Sequence, residues 1–275
     1  MTLAVSEAPF RRGRFADVTV TGVTISALAA LALGAILYAL ITSIDSERIG
    51  DYGARILNGF GVTLKLLALS LAIGALISLP VAAGRLSRHW LPSALAYAYS
   101  YFFRGTPLIA QIFLVYYGAG QFVPELKAVG LWWFFRDSFN CAVFSFAINT
   151  AAYQAEILSG AIRSVPNGQR EAGAALGLHP LAVMRHIVLP QAIITALRPY
   201  GNEIVLMTKA SSIASIITVL DLMGQTRFIF SKTYDLSYYF WAAAFYLATV
   251  EIISRIVNVL ERRLTRHFGQ RSTAH

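Results

Sequence analysis

Apolar residues in this chain gather in long runs separated by short polar segments, without the three-to-four-residue alternation of a half-buried helix. A run of about 20 residues crosses a hydrocarbon core about 30 Å thick at about 1.5 Å per residue. Six runs are expected to do so: Val23–Ser43, Leu57–Ala83, Leu91–Gly118, Phe139–Ile162, Gln191–Ile213 and Tyr239–Leu260. The first follows Arg11, Arg12 and Arg14, the charge order of a secretory signal. Its uncharged length of 21 residues exceeds the roughly 7–15 of a signal core, so it is read as a retained span.

Composition supports lipid as the main solvent. The 275 residues are 56% hydrophobic and 13% charged, with a mean hydropathy of +0.58. A soluble domain carries about 25% charge. The net charge of +9 would raise nucleic acid as a partner for a soluble protein. Here its distribution excludes that reading. The segments 10–14, 84–90, 163–190 and the tail after Leu260 have net charges of +3, +2, +2 and +3. The intervening segments 44–56, 121–138 and 214–238 have −1, zero and zero. Six spans fit this unbroken alternation and five do not. The positive-inside rule then places both termini in the cytoplasm. The expected fold class is an all-α integral membrane protein, one domain with short loops. Cys141 is the single cysteine, which rules out an internal disulfide.

Several kinds of chemistry find no support. No GxxxxGK[ST] occurs, so the chain has no P-loop of its own. His89, His179, His186, His267 and His275 all fall in expected cytoplasmic segments, and no Cys/His cluster has metal spacing. No nucleophile and base can be placed within reach of one another, so no enzyme activity is expected.

Several ionisable residues fall inside the expected spans, among them Lys65, Arg104, Glu156, Glu203, Lys209 and Glu251. Each costs about 2.5–3.5 kcal/mol at a helix centre on insertion scales, so each needs a reason. Lys65 lies near enough to a span end to snorkel outward. Glu251 and Arg255 are four apart and can pair along one helix face. Arg104 stands in FFRGTPL, where Gly105 and Pro107 interrupt the helix; such a break needs surrounding protein or a lined cavity. Asn149, Tyr153 and Glu156 are spaced four and three and share a helix face. Both a translocation path and structural hydrogen bonding are compatible with that face.

Between two apolar spans lies GQREAGAALGLHPLAVMRHIVLP, residues 168–190. Asn167 is expected to cap a helix from Gly168, with Glu171 in its first turn. Gly177 reads as the stop. Pro180 then begins a second short helix, and Pro190 begins the next span in the same way. The small face of Ala172, Ala174 and Ala175 suits either docking of another protein or packing at the membrane interface.

This stretch resembles the EAA signature of bacterial ABC importer permeases: EAA, three residues, Gly, nine residues, then I-x-LP. Glu171, Ala172, Gly173, Gly177, Ile187, Leu189 and Pro190 occupy those positions, with Gly173 in place of the second alanine. FFRGTPLIAQIFLVYYG, NTAAYQAEILSGAIRSVPNGQ, LPQAI and YGNEIVLMTKASSIASIITVLDL resemble the polar amino acid permeases. FNCAVFSFAINT with AIRSVPNGQ is most similar to M-type subunits of histidine, lysine/arginine/ornithine and opine uptake systems.

The resemblance implies an inner-membrane subunit without its own cofactor. ATP and magnesium would be bound by a partner ATPase dimer, a second homologous permease would complete the path, and a periplasmic solute-binding protein would deliver an amino acid or opine. The segment around Glu171 and Gly177 would be the coupling helix. Gln111, Asn149, Tyr153 and Glu156 match positions facing the path, where Glu156 would meet an ammonium or guanidinium group. The permease domain would span 57–266, five helices, preceded by an arm, extra helix and loop over 1–56 and followed by a tail over 267–275. Arg198 stands where that family usually has an apolar residue. An ion-gradient transporter and a non-transporting scaffold are the competing readings.

Overall fold

The computed structural model describes residues 46–265 and, upstream, residues 22–28, 31, 34, 35 and 38. The N-terminal arm, much of the expected span Val23–Ser43 and the tail lie outside the described residues; residues 22–28 are helical. Every regular element among the described residues is helical. In chain order they are α1 (Ser46–Leu86), α2 (Trp90–Gly105), α3 (Leu108–Ala119), α4 (Val123–Ala128), α5 (Trp132–Phe135), α6 (Ser138–Ser164), α7 (Asn167–Ala175), α8 (Pro180–Val183), α9 (Leu189–Ala210), α10 (Leu222–Thr233) and α11 (Ser237–Thr265). A π turn, Met184–Val188, and a 3-10 turn, Ser211–Ile217, extend α9 at its two ends.

Three stretches are long and apolar enough to cross a membrane by length and composition: Tyr52–Leu86, Pro180–Ile217 and Ser237–Leu264. The expected span Leu91–Gly118 is two helices, because Thr106 turns extended ahead of Pro107 and breaks the rod. The expected span Phe139–Ile162 falls on α6, the centre of the bundle. Cys141, Ala142, Phe146, Ala151, Ala152 and Ala155 on it are fully buried. It packs on α1, α2, α3 and α9, and its small residues let those backbones approach. Leu66, Ile112, Phe146, Met207 and Ile217 form the largest packed cluster there. In hydrocarbon, shape matching and hydrogen bonds hold such contacts, since apolar residues gain little by leaving lipid.

The segment 214–238, expected as a plain loop, contains α10. Asp221 caps it, accepting a hydrogen bond from the Gly224 N–H at 2.8 Å, while Leu222 N–H donates to Thr63 Oγ1 at 3.0 Å. Leu222 and Ile229 are buried beside Ile56, Tyr238 and Ala242, so α10 fills the space between α1 and α11. Arg227, Lys232 and Asp235 had hidden its apolar face from a reading by charge.

The polar stretch 168–190 departs from expectation in three details. The first helical residue is Asn167, and Pro166 takes the cap position without a side-chain bond. Proline's fixed φ suits that entry. Glu171 therefore lies in the second turn, away from the helix dipole's end. The helix begun by Pro180 is not separate: it runs through the π turn into α9 as one rod, Pro180–Ile217. Pro190 brings no N–H to this join, and the wider turn just upstream accommodates the missing bond.

Candidate functional site

Gln111, Asn149 and Tyr153 converge on the break between α2 and α3. A broken helix frees backbone carbonyls that lipid cannot satisfy. Phe103 O accepts from Asn149 Nδ2 at 2.9 Å and from Gln111 Nε2 at 3.0 Å. Gln111 Nε2 also donates to Thr106 O at 3.2 Å, and Gln111 Oε1 accepts from Asn149 Nδ2 at 3.0 Å. Tyr153 Oη donates to Arg104 O at 3.5 Å. Gln111 and Asn149 are both buried. Their amides are committed to stabilising the break.

Beside the break lies an ion cluster. Arg85 Nη2, from the end of α1, contacts both oxygens of Glu156 at 3.0 Å. Arg104 Nη1 reaches Glu156 Oε2 at 3.2 Å. Arg85 also lies over the Tyr97 ring and Arg104 over the Tyr153 ring, at 5.1 and 5.5 Å. The α6 face of Asn149, Tyr153 and Glu156 is thus shared between hydrogen bonds to the break and an ion cluster, and in this conformation Glu156 holds two guanidinium groups of its own chain.

One turn further, α6 and α9 are tied by a chain of hydrogen bonds. Tyr200 Oη donates to Gln154 Oε1 at 2.7 Å, Gln154 Nε2 to Thr150 Oγ1 at 3.2 Å, and Thr150 Oγ1 to Glu203 Oε1 at 2.7 Å. Glu203 is buried, and this chain is its compensation.

The polar stretch forms a bent projection. Gly177 has φ +73°, its N–H donates to Ala174 O at 2.9 Å, and Leu178 N–H donates to Gly173 O at 3.1 Å. These two bonds make a Schellman stop, which favours glycine at that position. Gly173 is buried: a Cβ there would lie 2.8 Å from Val183 Cγ2 and 3.1 Å from Ile187 Cδ1. Arg170 Nη2 fastens α7 to the end of α6 through Ile162 O at 2.7 Å. Glu171, Ala172, Gly177 and Pro190 are exposed, whereas Ile187 and Leu189 are half-buried on the bundle side. Leu176 and Leu181 stand 80% and 72% exposed on this segment.

A family profile described as the binding-protein-dependent transport system inner membrane component matches residues 74–266, which include both the ion cluster and the bent projection. The chain belongs to this family. It is 42% identical over 228 residues to a nopaline transport system permease protein of Agrobacterium fabrum, covering 82% of this chain and 95% of that one. It is 37% identical over 217 residues to a histidine/lysine/arginine/ornithine transport system permease protein of Escherichia coli, covering 78% and 91%. A crystal structure of an amino acid ABC transporter with histidines superposes with a TM-score of 0.70 at 34% identity, over 80% of this chain and 99% of that one. An inward-facing methionine ABC transporter at 19% identity and a TM-score of 0.66 shares the fold.

In this permease Glu251 and Lys65 also find partners. Arg255 Nε meets Glu251 at 2.6 Å, the pairing their spacing suggested. Lys65 lies 5.3 Å over the Phe139 ring. Arg198 reaches Glu261 on α11 at 3.4 Å. Arg85, Arg170 and Thr150 were not singled out from the sequence. Arg85 and Arg170 look like ordinary loop-end cations, and Thr150 like a tolerated helix threonine; only the fold brings them to a partner. No group of His, Cys, Asp or Glu able to hold a metal occurs among the described residues.

Proposed function

We propose that this permease carries polar amino acids, basic ones or opines, across the bacterial inner membrane. A partner ATPase dimer binding ATP and magnesium supplies the energy, a second homologous permease completes the path, and a periplasmic binding protein delivers the substrate. Six spans leave both termini and the projection around Gly177 in the cytoplasm, and the alternating segment charges support that orientation. Tyr153 and Glu156 lie on the path, where Glu156 meets the substrate's cationic group.

The bent projection is the observation that carries the reading. Ala172 and Ala175 on α7, with Leu176 at its end, form an exposed small and apolar surface beyond the membrane helices, and Gly177 fixes its angle. Exposed apolar surface of this kind marks a protein contact. A carrier driven by an ion gradient has no ATPase for it to meet. The test is uptake of arginine, histidine and octopine by cells that depend on this permease. The Gly177→Asp variant is expected to reach the membrane and to lose uptake. The left-handed backbone costs a non-glycine residue only about 1–2 kcal/mol, too little to prevent insertion. Gly177→Asn, which tolerates that backbone without adding charge, is expected to keep part of the rate. Wild-type rates in the Asp variant would refute coupling through this bend.

A further inference from the structure

Arg104 has no role in the reading above beyond its contact with Glu156, and that contact is loosely built. One nitrogen touches one carboxylate oxygen at 3.2 Å, and the side chain is 42% exposed. Arg85 is 15% exposed and takes both oxygens of the same carboxylate at 3.0 Å. Glu156 therefore stays paired whether or not Arg104 remains. The Arg104 backbone is held independently: Tyr153 binds its carbonyl, while Asn149 and Gln111 hold Phe103 O and Thr106 O on either side. A discontinuous helix at membrane depth is where transporters place ligand-binding groups. Arg104 thus combines a fixed base, a part-exposed cationic head and a partner that has a second cation.

The charges nearby narrow the ligand. Arg85 and Arg104 both face Glu156. Two guanidinium groups against the one carboxylate they contact leave the cluster with one positive charge in excess. A substrate carboxylate offsets that excess at Arg104, and an ammonium group beside it keeps Glu156 compensated in low dielectric.

Building on the transport reading, we propose that Arg104 binds the α-carboxylate of a zwitterionic amino-acid substrate. Arg104 gives up Glu156 to do so; Glu156, still held by Arg85, turns to the substrate's α-ammonium group. A planar guanidinium suits bidentate recognition of a carboxylate, which a lysine cannot reproduce.

The experiment measures binding of L-arginine, L-histidine and octopine, each beside its α-methyl ester, to the purified permease–ATPase complex without binding protein. The wild type is expected to bind at least one free acid about tenfold or more tighter than its ester, the scale of one charge-assisted hydrogen bond. In Arg104→Gln the acid weakens to the level of the ester, so the preference disappears. In Arg104→Lys a reduced preference persists, and this variant decides the matter if Arg104→Gln fails to assemble. An unchanged preference in either variant overturns the proposal, as does a wild type that binds acid and ester alike or binds no acid. Uptake by intact cells is read separately: uptake without this signature removes the Arg104 site and leaves the transport reading, whereas absence of uptake removes the amino-acid reading itself.

Discussion

Gly173 shows how one missing methyl group shapes the projection. The EAA pattern has alanine there, yet a Cβ would press on Val183 Cγ2 at 2.8 Å, and valine's χ1 is stiff. The helix carrying Glu171 lies closer to the rod beneath it than an alanine allows. Gly173→Ala is expected to lower thermal stability and uptake together, because overpacking costs about 1–3 kcal/mol and here shifts the docking surface. Val183→Ala introduced beside it should restore uptake. Failure of that rescue in a transport assay would show that the fit between Gly173 and Val183 does not set the angle. Arg198 shows the opposite case. Its partner Glu261 is real, but at 74% exposure the pair contributes little to stability.

Among the elements, the break between α2 and α3 depends most on neighbours. Proline and glycine interrupt the helix, and the carbonyls they free are taken by side chains from α3 and α6. An unsatisfied buried carbonyl costs about 1–3 kcal/mol. Asn149→Leu removes a donor from Phe103 O and a donor to Gln111. It is expected to destabilise the detergent-solubilised complex by an amount of that order, measured as a lowered melting temperature. Asn149→Gln, which keeps the amide, should lose less. Equal melting of Asn149→Leu and wild type would mean that the break is held by backbone packing alone. α10 depends on its neighbours in another way: its cap bond and buried leucine join residues near 60 to residues near 222, so it forms only with the rest of the bundle in place.

For the whole molecule, orientation is the property most open to test. Cys141 is completely buried, so the native chain offers a quiet background for thiol labelling. Leu176→Cys, on the exposed projection, is expected to react with a membrane-impermeant maleimide only in inside-out vesicles. Glu125→Cys, on α4 at the other end of α3, should react only in right-side-out spheroplasts. Labelling of both from one side would overturn the alternating topology. The ion cluster is also a property of the whole. Arg85, Arg104 and Glu156 come from three helices and meet only because α6 sits at the centre of the bundle.

Family membership and the place of the projection were legible from the sequence because both rest on local signals: the Glu171–Gly177–Pro190 spacing and a glycine that must adopt positive φ. The apolar runs announced a helical membrane protein, since hydrocarbon forces each backbone to satisfy its own hydrogen bonds. Long-range pairing was not legible. Asn149 and Gln111 could be assigned to a polar face but not to the Phe103 carbonyl, and Glu156 could be flagged as costly without its two arginines. Helix α10 was hidden because its apolar face is short and bordered by charge. What settles these features is which helices lie side by side, and residues as far apart as 85 and 156 acquire their electrostatic environment only when the tertiary fold makes them neighbours.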